Sequence, residues 1–171
     1  MKTQRLRRIT NKVLHPVAAN IAPTPAKQPT TQATLSSSAN QPVNAGGDSL
    51  ELEKAAYTVA LDAYKQGGAK KAIAPMKNFI KNNPNSVYIS NAYFWLAEFN
   101  LAVEPTNYAE AKKNYSIVVD QYPESTRAPR ALYQLYSIAK DVDRNSSLAT
   151  QLKTKLTQKY PKSEEAGFVK K

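Results

Sequence analysis

The sequence has no cysteine and one histidine, His15. Without thiols there is no disulfide, no thiolate zinc site, no cysteine nucleophile and no residue for an N-terminal lipid anchor. Either redox compartment remains open. Acids are missing before Asp48, and aromatics are missing from the first 50 residues, which hold five of the eleven prolines. All ten tyrosines, Trp95 and the four phenylalanines follow residue 56. A segment so poor in large apolar groups does not offset its ordering entropy. The chain is therefore expected to divide near Ser49, with a disordered basic N-terminus and Pro/Ser/Thr-rich linker over 1–49 and a folded domain over 50–171. No apolar run approaches the ~18–20 residues of a transmembrane helix.

The net charge of +11 is uneven. Residues 1–50 carry six basic residues (Lys2, Arg5, Arg7, Arg8, Lys12, Lys27) against Asp48, leaving the remainder with 18 basic and 12 acidic residues. Both signs alternate there, and no basic run is interleaved with aromatics. This reads as a solvated surface and not as a nucleic-acid footprint. Residues 1–8 resemble a basic export n-region, but Val13-Leu14-His15-Pro16-Val17-Ala18-Ala19 is a short and interrupted apolar segment. Three readings stand: a degenerate export signal, a transit peptide, or a start placed inside a longer gene. Pro23, Pro25, Pro29 and Pro42, with Gly46-Gly47 at its end, mark 20–49 as a flexible linker.

What is present is repetition. Asn83-Pro84-Asn85-Ser86, Tyr122-Pro123-Glu124-Ser125 and Tyr160-Pro161-Lys162-Ser163 share one signature. Proline stops a helix and biases its predecessor away from helical dihedrals, and serine is a good N-cap for the next helix. Helical stripes lie between these marks. They are Leu52, Ala56, Val59, Ala60 and Ala63; Ala92, Trp95, Leu96, Phe99 and Val103; Ala111, Tyr115, Val118, Val119 and Tyr122; and Leu132, Leu135, Tyr136 and Ala139. No segment shows the alternation of a half-buried strand. The expected fold is all-α, with three helix-turn-helix repeats over about 51–84, 87–123 and 126–161 and a short C-terminal cap.

The spacing resembles the tetratricopeptide repeat. Ala60 and Ala72, Ala97 and Ala111, and Ala149 fall where that repeat places small residues for close helix approach. Two departures follow: Tyr136 stands at a small position, and Pro75 inside a helix is expected to kink it, at ~3 kcal/mol if uncompensated. A narrower resemblance is carried by Asn78-Phe79-Ile80-Lys81-Asn82 running into Pro84-Asn85-Ser86, by Asn91-Ala92-Tyr93-Phe94-Trp95-Leu96-Ala97, and by Val118-Val119-Asp120-Gln121-Tyr122-Pro123. These stretches are similar to the C-terminal domain of the Tol-Pal system YbgF/CpoB family of cell division coordinators, over about 52–165. The resemblance implies a non-catalytic periplasmic adaptor that binds TolA, with a bifunctional penicillin-binding protein as a further partner. It would connect outer-membrane constriction with septal cell-wall synthesis. The family's signal peptide and trimerising coiled coil are not read here, since residues 4–17 are too short for three heptads. The start is thus read as truncated or diverged, and the oligomeric state stays open. The alternative is a scaffold of another envelope assembly, in outer-membrane protein assembly or secretion. BamD shares Tyr-Pro-x-Ser but needs a lipidated cysteine.

Transferring the repeat positions that face the concave groove gives Lys54, Tyr57, Leu61 and Tyr64, then Asn91, Phe94, Glu98 and Leu101, then Arg130, Tyr133, Ser137 and Lys140. An aromatic groove with basic rims suits a protein partner. Trp95 and Phe99 are expected in the core. Leu61, Glu98 and Ser137 lack the Lys/Asn/Arg carboxylate clamp of chaperone-tail receptors. No catalytic, metal or cofactor site is expected. There is no convergent nucleophile and base, Glu164-Glu165 sit at a helix start, Asp141 and Asp143 lie in a loop with Arg144, and no phosphate loop occurs.

Overall fold

The computed structural model describes residues 45–170, and every regular element among them is helical. The helices are α1 (Ala45–Asn82), α2 (Ile89–Ala102), α3 (Tyr108–Gln121), α4 (Ala128–Asp141), α5 (Ser146–Lys159) and α6 (Glu164–Val169). Gly68, at φ 74° and ψ −173°, breaks α1 into arms over 45–67 and 69–82. That backbone region is open essentially to glycine alone. The two arms, α2 with α3, and α4 with α5 form three tetratricopeptide-like helix pairs, capped by α6. Each helix packs on the next in the chain, and α6 packs on α4 and α5. The expected unstructured leader falls on residues 1–44, outside the described residues. Residues 45–49, read as the linker's end, begin α1, with Asp48 in its first turn complementing the helix dipole.

The repeat is visible in the hydrogen bonds. Ser125 Oγ donates to Ser90 Oγ (3.0 Å), Arg127 Nε to Asn91 Oδ1 (3.2 Å) and Gln134 Nε2 to Glu98 Oε1 (3.0 Å). On the other row of helices, Lys155 Nζ meets Asp120 Oδ1 (3.2 Å) and the Tyr160 hydroxyl donates to the Pro123 carbonyl (2.8 Å). All five span 35 to 37 residues. First helix meets first helix and second meets second, as stacking of equivalent units requires.

Helix boundaries correct three local expectations. Of the three signature serines, Ser163 alone caps the helix directly, accepting from Ala166 N at 3.1 Å. Ser86 and Ser125 instead accept from the amide two residues on, Tyr88 N (3.1 Å) and Arg127 N (3.2 Å), and α2 and α4 start later. Short side-chain turns of this kind compete with true capping. The second helices are capped by Asn107, accepting from Glu110 N (3.2 Å), and Asn145, accepting from Leu148 N (3.0 Å). In α1 the departure from helical dihedrals lies at Gly68 and not at Pro75. Pro75 leaves the Lys71 carbonyl without its intrahelical donor, and Lys71 itself is exposed.

The core consists of two clusters that share α2. Tyr57, Ala60, Ala72, Met76, Phe79, Trp95 and Phe99 fill the first, and Phe94, Ala97, Ala111, Tyr115, Val118, Leu132 and Leu156 belong to the second. Phe94 meets Trp95 edge-on, with ring centroids 6.1 Å apart, and links them. The small residues Ala60, Ala72, Ala97, Ala111 and Ala149 are all buried. So are Trp95 and Phe99, as expected.

Candidate functional site: an aromatic and basic face on α4

The third helix pair is anchored by its first residues. Arg127 precedes α4, and Pro129 in the first turn suits a helix start, where its missing N–H costs nothing. The Arg127 guanidinium lies over Phe94 (5.3 Å) and Trp95 (5.9 Å) while its Nε holds Asn91. This cation–π clamp fixes the rotation of α4 against α2.

Rotation being set, one face of α4 looks outward. Arg130 lies over the Tyr133 ring at 5.7 Å, Tyr133 packs on Tyr136 at 6.1 Å, and Lys140 lies over Tyr136 at 5.7 Å. Phe168 of α6 meets Tyr133 edge-on at 5.8 Å and is 46% exposed. Arg130, Tyr133, Tyr136 and Ser137 are half-buried and Lys140 is exposed. The result is a ladder of cation, ring, ring and cation, with a third ring from the cap. Each ring is held by its neighbours yet shows an edge to water. Rigid amphipathic rings with arginine are what protein interfaces use as anchors.

The other expected groove residues are placed differently. Tyr57, Leu61, Asn91, Phe94 and Glu98 are buried. Tyr57 stacks on Tyr88 at 5.1 Å, and burial pushes its hydroxyl pKa up. Tyr64 is half-buried and stacks on Phe99 at 5.0 Å. Leu101 is half-buried against the second cluster, and Lys54 is exposed. The surface left from the expected set is therefore Lys54, Tyr64, Leu101, Arg130, Tyr133, Ser137 and Lys140. Only the α4 members form one contiguous ladder. Two of the ladder's rings were outside the expected set. Tyr136 was read as a core stripe residue, although its spacing from Tyr133 and Lys140 puts it on their face. Phe168 belongs to the cap, which no repeat position describes.

Glu98 forms an interior polar node. It accepts from the Tyr115 hydroxyl of α3 and from Gln134 of α4, so three helices meet on one carboxyl. Burial raises its pKa, opposed by those two hydrogen bonds and by Arg130 and Arg127. Desolvation wins, because a charged carboxylate in a dry interior loses its hydration. Burial and the nearby Glu98 also raise Tyr115 well above its ordinary value. Chemically this is a structural link between the repeats. Among the described residues, no three of His, Cys, Asp and Glu gather closely enough to hold a metal ion, and no helix is long and apolar enough to cross a membrane.

No family model matches the chain. Two curated proteins, both described as cell division coordinator CpoB and both from Pseudomonas putida, are 44% identical to it over 50 residues. That stretch covers 29% of this chain and spans only 19% of the relatives' length. In part of its length, this all-helical chain is similar to the cell division coordinators CpoB.

Proposed function

We propose that this chain is a non-catalytic adaptor of cell division that works in the periplasm and takes a protein partner on the α4 face. The partner proposed is the periplasmic part of TolA, with a bifunctional penicillin-binding protein as a further client. Such an adaptor would couple outer-membrane constriction to septal wall synthesis. The observation that carries the reading is the half-exposed ladder Arg130, Tyr133, Tyr136 and Lys140 with Phe168, on a rigid stack of helix pairs. The local similarity to cell division coordinators supports the choice of process. Lys54, Tyr64 and Leu101 would form the outer part of the same recognition surface.

Calorimetric titration of the full chain with the soluble periplasmic part of TolA tests this, run at low and moderate salt. A contact anchored on packed rings keeps most of its affinity as salt rises, whereas attraction between exposed charges is screened. Saturable binding that survives moderate salt supports the adaptor reading. Absence of heat at high concentration would detach the helix-pair module from TolA and favour another envelope assembly.

A further inference from the structure

The positive charge of the folded region is not spread evenly over its repeats. Residues 51–126 hold eight basic and eight acidic residues, and residues 164–171 hold two of each. Residues 127–163, the third helix pair with its flanks, hold eight basic residues against Asp141 and Asp143. The whole surplus of six positive charges therefore sits on the pair that also carries the ring ladder. Asp143 is already engaged by Lys112 of α3 at 2.9 Å. Asp141 directly follows Lys140, which turns it about 100° around α4 and off the ladder stripe.

Within that pair the ladder has the geometry of a two-ended clamp. Arg130, Tyr133, Ser137 and Lys140 recur at spacings of 3, 4 and 3, so they line one stripe of α4. Ten residues separate the two cations, about 15 Å along the helix axis. Neither cation is in an ion pair among the described residues. Glu98 feels Arg130 from the interior, but it is buried and makes no ion pair with it. Each cation rests instead over a ring, Arg130 on Tyr133 and Lys140 on Tyr136. A guanidinium lying on a ring keeps its edge N–H groups for a carboxylate. The cap brings its own acids, Glu164 and Glu165 in the first turn of α6, so it adds the Phe168 ring to the face and no net charge.

We infer that the segment taken by the α4 face is acidic: a stretch of a partner protein that sets one carboxylate on Arg130, another on Lys140, and an apolar side chain between them against Tyr133, Tyr136 and Phe168. The inference rests on the reading of this face as a protein-docking surface and adds the chemistry of what docks. Two carboxylates about 15 Å apart lie about five residues apart in an extended segment and about ten apart in a helical one. The surplus charge of α5 and of the loop before it attracts the same segment from a distance, and the rings hold it.

Selection from a displayed library of random peptides about twelve residues long, enough for either conformation, tests this without presuming a partner. The bait is the full chain, and Arg130→Glu with Lys140→Glu removes peptides that bind elsewhere. The expected yield is peptides with two acids flanking an apolar residue, whose affinity by fluorescence anisotropy falls about tenfold or more in the doubly reversed variant. Lys140→Glu alone, at an exposed position, serves if the double variant unfolds, and should weaken binding about threefold with an unchanged thermal midpoint. Recovery of neutral or basic peptides, or of none, would overturn the inference. An equal loss with Lys159→Glu and Lys162→Glu would do so too, because net charge and not the clamp would then be the attraction. Binding to phosphatidylglycerol vesicles that Tyr133→Ala abolishes would give the face to a lipid surface and overturn it as well. The adaptor reading fails separately. Acidic peptides held while TolA stays unbound would remove TolA and leave the inference standing. TolA binding that needs Tyr133 but ignores Arg130→Glu with Lys140→Glu would overturn the inference and leave the adaptor reading standing.

Discussion

Glu98 shows how a residue read as surface becomes interior. Its repeat position faces the groove in an isolated pair, but Gln134, 36 residues on, reaches back and covers it. Asn91 and Phe94 are covered in the same way by Arg127. Repeat numbering assigns a side of the helix. It does not say how closely the next pair sits on that side, and this information lies in long-range contacts. Because burial raises the Glu98 pKa above its unfolded value, the folded state prefers the neutral carboxyl. That contribution is complete below the unfolded pKa and is lost as pH rises through the folded one, at about 1.4 kcal/mol per unit between them. Glu98→Gln keeps both acceptor bonds and removes the titration. Urea midpoints across this range should fall with rising pH in the natural chain and stay flat in the variant. Tyr115→Phe removes a hydroxyl from the same carboxyl and should cost about 1–3 kcal/mol by urea denaturation, the penalty of an unsatisfied buried polar group.

At the scale of the element, the signals in the sequence were punctuation. Gly67-Gly68 stands in the sequence at the break in α1, and the Pro-x-Ser signature marked the gaps before α2, α4 and α6. The exact caps were not legible, because Ser86 and Ser125 can close a side-chain turn as readily as a helix. Asn107 and Asn145 resemble many loop asparagines until their bonds to Glu110 N and Leu148 N are seen. Pro75 looked disruptive because proline removes a donor, but the residue whose carbonyl loses it, Lys71, is exposed. Gly68→Ala places a Cβ in a glycine-only region and should destabilise the domain by about 1–3 kcal/mol. Gly167→Ala in α6 meets no neighbouring atom and should be neutral or raise stability by up to about 1 kcal/mol. Thermal unfolding of the two variants side by side would separate a required glycine from a dispensable one.

At the scale of the molecule, the order of helix pairs was legible because each pair repeats the same stop signal and the same buried alanines. The surface proposed for binding was only partly legible. Arg130, Tyr133 and Lys140 were expected on a groove face, and the structure leaves them at least partly exposed on α4. Tyr136 and Phe168 became visible only once Arg127 had set the rotation of α4 and the cap had folded back onto it. Phe94, a buried member of the second cluster that meets Trp95 of the first, should now behave as a core residue. Phe94→Ala is expected to cost about 3–5 kcal/mol of stability and to abolish binding through unfolding, seen as a drop in the thermal midpoint.

Tyr133→Ala is the sharper probe, because the ring is half-exposed and packs at the edge of the second cluster without being one of its buried members. The decisive measurement is the affinity of this variant for the soluble periplasmic part of TolA, determined with its thermal midpoint. A loss of about tenfold or more with a nearly unchanged midpoint is expected of an interface anchor. Affinity equal to that of the natural chain in a folded variant would contradict the α4 face as the binding surface.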